Sequence, residues 1–224
     1  MCSSDLSRAL RLAGSAVSAG YAAAMADIGL RSTVPAANDN ASGVAALLSL
    51  AHWLSEAPPP GVRVILLFPG SEESFMEGMR AWARRHFARL PRESTCFVCV
   101  DTVGSPQLLL LEGEGMLRMN EYPKDFLAFI RSCADEAGVR QVPNLRFRNA
   151  TDGLIPLKAG YRTAMVGSVD EFKIPTNYHW PTDTPDRVDY STVDDAARLC
   201  RRIVERLAPR SPVAGAGAQA YAAR

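Results

Sequence analysis

Thr95-Cys96-Phe97-Val98-Cys99-Val100-Asp101 is a short apolar run that ends in a carboxylate, and it decides the fold class. Five consecutive apolar residues without a charge are typical of a strand that is buried on both faces of a sheet. A similar run at residues 62–68 ends at Pro69-Gly70 and is followed by two glutamates. Both runs predict interior strands of a layered domain.

Helical patterns alternate with these runs along the chain. Apolar residues recur at helical spacing in four segments, at residues 44–56, 76–90, 126–137 and 192–207. Two further short apolar runs predict strands, at residues 107–112 and 162–166. Alternating helices and strands indicate a layered α/β domain.

Composition restricts the classes of function. The chain has 224 residues, of which 47% are hydrophobic and 22% are charged, and its formal net charge is +1. This length suits one domain with a full core. Because basic and acidic residues are interleaved, the sequence excludes nucleic acid as the expected partner and favours a small substrate. Five scattered cysteines do not make a disulfide framework.

The two ends of the chain differ from the middle. Met1-Cys2-Ser3-Ser4-Asp5-Leu6 reads like translated adaptor DNA, so residues 1–35 are interpreted as a remnant or an insertion. Residues 12–26 carry no charge, and three interpretations stay open: a surface helix, a marginal membrane segment or a leader. Membrane association and localisation therefore stay open. Residues 209–224, rich in Ala and Gly, predict a mobile tail.

Several carboxylates and one histidine lie next to predicted strands or before a predicted helix. They are Asp39, Glu72, Glu73, Asp101 and His179. In open α/β sheets, ligands collect at the carboxyl edge of the strands, so these side chains are expected to converge. Converging carboxylates repel one another unless a cation neutralises them. A histidine with two or more carboxylates suits zinc, with manganese or cobalt as substitutes.

Four motifs carry a resemblance to a known family. They are Asn38-Asp39-Asn40-Ala41-Ser42-Gly43, Glu72-Glu73, Asp101-Thr102-Val103-Gly104 and Tyr178-His179-Trp180-Pro181-Thr182-Asp183-Thr184-Pro185-Asp186. Their order and spacing resemble the zinc exopeptidases of metallopeptidase family twenty-eight, which include bacterial leucyl aminopeptidases, glutamate carboxypeptidase and glutaminyl cyclase. The resemblance implies a three-layer α/β/α domain at residues 36–208, with a mixed, mostly parallel central sheet. It also implies a small peptide substrate.

The resemblance assigns metal ligands to four positions, which are Asp39, Glu73, Asp101 and His179. It implies that Asp39 bridges two zinc ions, that Glu73 and His179 complete the second site, and that Asp101 serves the first. Glu72 resembles the general base, which would take a proton from a metal-activated water.

Other positions have two readings each. Tyr178 either donates a hydrogen bond to the oxyanion or packs, and Asp152 lies either near the substrate pocket or at a helix N-cap. Asp183 and Asp186 either cap a turn or support His179. Three apolar residues line a side-chain pocket or belong to the core, and they are Phe147, Leu154 and Met165.

One ligand of the family pattern is absent. The family has a His-x-Asp motif before the bridging aspartate, whereas the histidines of this chain are His52, His86 and His179. His52 and His86 fall within predicted helices and are interpreted as structural or solvated. Either the histidine lies upstream of residue 1, or the site has degenerated to one metal or none. We expect two zinc ions in a full-length protein, one in this chain, and a fragment that could be inactive.

Three functions remain open from the sequence. The first is a zinc aminopeptidase that acts on small peptides. The second is a single-metal acyl transferase like glutaminyl cyclase, and the third is a non-catalytic binding homologue. Retention of Glu72 favours an enzyme, because a binding module needs no general base.

Overall fold

The computed structural model describes residues 3–208. The predicted tail at 209–224 lies outside the described residues, as do the first two residues of the adaptor-like start. The chain divides into two compact units, one ending at Val34 and the other beginning at Pro35.

The first unit contains one long helix. Helix α1 spans Ser3–Leu30, and its side chains from Asp5 onward are exposed to solvent. Within the described residues, no helix combines the length and the apolar character needed to span a membrane.

The second unit contains the remaining helices and all the strands that the structure describes. Its helices are α2 (Gly43–Glu56), α3 (Glu77–His86), α4 (Lys124–Ala137), α5 (Leu154–Lys158) and α6 (Tyr190–Leu207). Its strands are β1 (Cys96–Val100), β2 (Gln107–Leu110), β3 (Gly113–Glu114), β4 (Asn120–Glu121), β5 (Arg146–Phe147) and β6 (Arg162–Val169). The predicted helices and three of the four predicted strands are confirmed, with small shifts at their ends.

The main sheet has the strand order β1-β6-β2. Strand β1 runs parallel to β6 and β2 runs antiparallel to it, so the sheet is mixed. A second small sheet has the order β4-β3-β5. The α/β class with a mixed central sheet is therefore confirmed. Asp101 directly follows β1, and its N–H donates to the carbonyl of Val166 at 3.0 Å.

Two apolar cores cover the main sheet. Along β1, Phe97 packs in the smaller core, whereas Val98 and Val100 pack in the larger one. Because successive side chains of a strand point to opposite faces, the two cores lie on opposite faces of the sheet. Helices α2, α4 and α6 contribute to the larger core, and α3 and α5 contribute to the smaller one. This is a layered arrangement with helices on both faces.

The prediction of a buried strand at residues 62–68 is wrong. None of the described strands pairs with this segment, although Val62, Val64 and Leu66 pack against the larger core. Ile65 and Phe68 are 51% and 47% exposed, so the run is half-buried and not covered on both faces. An apolar run predicts burial, whereas a strand also needs a neighbour with backbone groups in register.

Candidate metal centre

Three side chains from distant parts of the sequence converge at one end of the sheet. The Nε2 atom of His179 lies 2.9 Å from Oε1 of Glu73 and 3.2 Å from Oδ2 of Asp39. One ligand atom from each residue lies within 4.8 Å of the other two. Ligands about 2 Å from a tetrahedral zinc ion would lie ~3.3 Å apart, so these side chains need only small adjustments to hold it.

Asp183 positions the loop that carries Asp39. Its side chain is buried, and its Oδ1 and Oδ2 accept hydrogen bonds from the backbone N–H groups of Asn38 at 2.7 Å and Asp39 at 3.0 Å. Asp183 therefore supports the backbone at Asp39. The two predicted roles, capping of a turn and support of His179, did not include this one. Asp186 is exposed, and its hydrogen bond with Thr184 lowers its pKa, as expected for the turn reading.

The polar side chains around Asp39 connect its loop to the Asp101 loop. The side-chain carbonyl oxygens of Asn38 and Asn40 accept from the N–H groups of Gly104 at 2.8 Å and Thr102 at 3.0 Å. Sequence reasoning missed this role, although two amides within one motif were a signal for buried hydrogen bonding.

Gly43 lies where these two loops approach most closely. A Cβ atom there would lie 2.3 Å from Oδ1 of Asn40 and 2.6 Å from the carbonyl oxygen of Val100. Only a glycine permits this approach without movement of the backbone. The motif at residues 38–43 therefore holds the two loops together in addition to supplying the candidate ligand Asp39.

Asp101 lies beside the cluster of three candidate ligands but is not a member of it. The Thr102 hydroxyl donates to Oδ1 of Asp101 at 3.0 Å and to Oδ1 of Asp39 at 3.4 Å. Burial, followed by the negative charge of Asp39, raises the pKa of Asp101 to about 7. The structure thus places Asp101 close to Asp39 without bringing it into the cluster.

The two other histidines lie elsewhere. The side chain of His52 is 76% exposed and lies 3.5 Å from Glu56 on α2. His86 stacks on Trp82, with their ring centroids 4.7 Å apart. Neither belongs to the described metal-ligand cluster, so no histidine among residues 3–208 takes the place of the family's first ligand.

Glu72 lies in a pocket next to the cluster. The pocket is also lined by Asp39, Asp101 and Tyr178. Burial, followed by the charges of Asp101 and Glu73, raises the pKa of Glu72 to about 8. A carboxyl group with a pKa in this range can both hold and release a proton near neutral pH.

Tyr178 packs against His179, the candidate histidine ligand. Its ring stacks on His179, with centroids 3.9 Å apart and an angle of 18° between the planes. Burial, followed by the charge of Asp39, raises the pKa of its hydroxyl. Tyr178 therefore stays protonated and remains a hydrogen-bond donor at the pocket wall.

Strained backbone conformations accompany the candidate ligands. His179 has φ of 60° and Asn177 has φ of 57°, while Thr102, next to Asp101, has φ of 55°. Ser71, next to Glu72, has φ of 58°. The left-handed region is unfavourable for residues with a Cβ atom, and such residues concentrate at functional sites.

The predicted N-cap role of Asp152 is wrong. The N-cap of α5 is Gly153, and the hydroxyl of Thr151, not Asp152, accepts a hydrogen bond from Gly153 N–H at 3.2 Å. Burial raises the pKa of Asp152 to about 6. Its Oδ1 atom is buried without a hydrogen-bond partner.

The three apolar residues predicted to line a substrate pocket lie in different surroundings. Phe147 and Met165 line the pocket that contains Glu72. Leu154 instead belongs to the smaller core with Met76 and Met79. Met165 and Phe147 also pack in the larger core, so both interpretations fit these two positions, whereas Leu154 belongs to the core alone.

The raised carboxyl pKa values predict that metal-free protein loses stability as the pH rises. A group whose pKa is higher in the folded state stabilises that state below the unfolded pKa, and this contribution disappears as the pH rises through the folded value. For Asp101 and Glu72 these folded values are about 7 and about 8. We expect the melting temperature of the metal-free chain to fall between about pH 4, near the unfolded values, and about pH 8, near the higher folded value.

The Glu72→Gln variant is the matched control for this pH effect, because its amide does not titrate. Its melting temperature should fall less over the same pH range, as measured by circular dichroism. Equal losses in both proteins would show that Glu72 does not carry the raised pKa.

Comparison with known proteins places this geometry in a family. The model of peptidase family M28 matches residues 20–204. The chain belongs to peptidase family M28. The resemblance drawn from the four motifs is therefore confirmed. A separate search of curated proteins found no match to the M28 chain.

Solved structures share the fold of this M28 chain at low sequence identity. The zinc aminopeptidase BSAP from Bacillus subtilis is 20% identical with a TM-score of 0.62, covering 78% of this chain and 43% of its own. A glutaminyl cyclase from Bacteroides thetaiotaomicron is 22% identical with a TM-score of 0.60, covering 77% of this chain and 63% of its own. The Legionella pneumophila aminopeptidase LapA is 13% identical with a TM-score of 0.62, covering 80% and 48%. The M28 chain thus spans about half the length of these proteins.

Proposed function

We propose that this M28 chain is a zinc-dependent aminopeptidase in which Asp39, Glu73 and His179 bind one zinc ion and Glu72 is the general base. The observation that carries the proposal is the convergence of those three ligands beside a pocket that contains Glu72. Membership of a peptidase family supports a peptide substrate.

The ligand chemistry supports zinc. One imidazole nitrogen and two carboxylates are ligands that zinc takes in catalytic sites, where a fourth position stays open for water or substrate. Bound there, zinc would lower the pKa of water and polarise the scissile carbonyl. The exposed side chains of Glu73 and His179, at 65% and 49%, leave room for a substrate to approach.

Glu72 supplies the proton transfer in this proposal. Its place in the pocket next to the ligand cluster suits a group that takes a proton from the attacking water and passes it to the leaving amine. Glu73 is a ligand and its neighbour Glu72 lines the pocket, so the two adjacent carboxylates have separate roles.

Tyr178 is positioned to donate a hydrogen bond to the oxyanion. It lines the pocket with Glu72, stacks on His179 and keeps its proton because its pKa is raised. Donors held in place before the reaction stabilise the developing negative charge without having to reorganise.

A single zinc ion fits the described residues better than two. Asp101 lies outside the ligand cluster, and the Thr102 hydroxyl already donates to it. A second ion beside Asp101 and Asp39 would need another ligand, and the described histidines other than His179 lie elsewhere. A one-metal site also favours the second candidate, an acyl transferase like glutaminyl cyclase.

Turnover of two substrate types by the zinc-loaded chain tests the proposal. We expect the protein to hydrolyse members of a panel of aminoacyl p-nitroanilides, and expect removal of zinc by a chelator to abolish this activity. Cyclisation of a peptide with an N-terminal glutamine, without anilide hydrolysis, would instead support the acyl transferase. Zinc binding without either reaction would contradict both and support a binding homologue.

A further inference from the structure

The wall of the pocket beside Glu72 contains a buried hydrogen-bond acceptor that no group of the described chain uses. Asn149 lines this pocket, and its Oδ1 atom is buried without a partner. Oδ1 of Asp152, three residues further on, is also buried without a partner. Because buried polar atoms are nearly always hydrogen-bonded, each of these oxygens requires an explanation.

The buried carboxylate of Glu114 holds the loop that carries Asn149 and Asp152. Oε2 of Glu114 accepts from the N–H group of Thr151 at 2.9 Å, and its Oε1 accepts from the Tyr122 hydroxyl at 2.7 Å. Glu114 is fully buried. A Cβ atom on Gly153 would lie 3.1 Å from Cβ of Cys99 and from the Tyr122 hydroxyl, so the loop is also tightly packed. The loop therefore cannot easily move to satisfy its own acceptors.

Part of the pocket wall around Asn149 is apolar, whereas the rest is polar and includes Glu72 and Asp101. Phe147, Ala150, Met165 and Pro175 line the same pocket. A pocket that combines apolar walls with a few placed polar groups is typical of a ligand site, where the polar groups fix the orientation of the ligand. The unsatisfied oxygen of Asn149 fits a ligand that brings a hydrogen-bond donor into the pocket.

We propose that Asn149 is a specificity-determining residue, and that the pocket beside Glu72 accepts a substrate side chain with a hydrogen-bond donor at its end, above all a carboxamide. This inference rests on the proposed peptidase function. A carboxamide NH2 group has two donor hydrogens, so one of them can serve Oδ1 of Asn149. Its short aliphatic stem suits the apolar walls.

If the pocket is built for a carboxamide, substrates with asparagine and with leucine should react differently although their side chains have nearly equal shape. Asparagine and leucine differ little in size, but leucine leaves the acceptor of Asn149 buried and unpaired. Sites built to hydrogen-bond a substrate reject the isostere that lacks the donor by large factors, up to about 10⁴. Loss of one such hydrogen bond is expected to change selectivity by about 10- to 100-fold.

The Asn149→Leu variant removes the acceptor while it preserves the shape of the side chain. The ratio of kcat/KM for asparaginyl and leucyl p-nitroanilides should favour asparagine in the unmodified chain. In Asn149→Leu the ratio should fall by about 10- to 100-fold. A preference for leucine in the unmodified chain, or an unchanged ratio in the variant, would overturn the inference.

Gln141→Leu is the matched control, since Nε2 of Gln141 is also buried without a partner but Gln141 does not line the pocket. Its selectivity should equal that of the unmodified chain, with circular dichroism used to verify folding of both variants.

Binding of the free amino acids separates this inference from the proposed function. Calorimetric titration of the zinc-loaded chain should show tighter binding of L-asparagine than of L-leucine, and Asn149→Leu should lose that difference. If no anilide is hydrolysed but this pattern appears, the proposed function fails and the pocket assignment stands. Equal binding of the two amino acids overturns the pocket assignment whatever the activity.

Discussion

Replacement of Glu72 by glutamine is expected to lower kcat for anilide hydrolysis by about 10²- to 10⁴-fold, which is the usual contribution of a positioned general base. The amide has nearly the same shape as the carboxylate but cannot accept the proton. Because Glu72 lines the pocket without belonging to the three-ligand cluster, the variant should still bind zinc.

Glu77→Gln provides the matched control, since Glu77 lies exposed in the first turn of α3 close to the same loop. It should retain full activity and full zinc content. Steady-state kinetics and elemental analysis of the same samples measure both quantities. If Glu72→Gln keeps its activity with zinc bound, Glu72 is not the base.

Replacement of His179 by alanine is expected to weaken zinc binding by more than about 100-fold. Loss of a group that only supports a ligand costs about 10- to 100-fold in metal affinity, so loss of a ligand should cost more. His179 also approaches both Glu73 and Asp39, and without it two carboxylates would face each other with no nitrogen ligand between them.

His52→Ala is the control for this second variant, because His52 is largely exposed and lies beside Glu56 on α2. Competition with a chromophoric chelator measures zinc affinity in both proteins. Equal affinities in His179→Ala and His52→Ala would remove His179 from the zinc site.

The helices were predictable because their apolar residues repeat at one spacing. In α6, the apolar residues at helical spacing include Val193, Ala196, Cys200 and Val204, and all of them are buried. Strand pairing is a different matter, since it depends on a neighbour that the local sequence does not specify. Residues 62–68 have the apolar character of a strand but no assigned partner among the described strands.

The sequence predicted those features of the candidate site that depend on residue type and on position along the chain. Asp39, Glu73 and His179 follow from motifs at recognisable spacing, and the structure brings them together. Asp101 was expected to serve the first zinc ion, with Asp39 as the bridge between the two ions. The structure places it beside Asp39 and outside the three-residue cluster, so its role as a ligand stays a prediction.

Supporting contacts were harder to predict than ligands. The Asp183 carboxylate reaches back across 144 residues to Asp39 N–H, and the pairing follows only from the folded backbone. Asn149 gave no signal in the sequence, because an unused acceptor becomes meaningful only when it is buried in a pocket. These positions depend on tertiary structure and not on local pattern.

Anomalous diffraction at the zinc absorption edge, on crystals of the zinc-loaded chain, locates the bound metal. We expect one strong peak between Nε2 of His179 and the carboxylate oxygens of Asp39 and Glu73, at about 2.0–2.2 Å from each ligand atom. The carboxylate of Glu72 should point toward the open side of the ion. A crystal without a peak at these three residues, or with its strongest zinc peak elsewhere, would contradict the proposed zinc site.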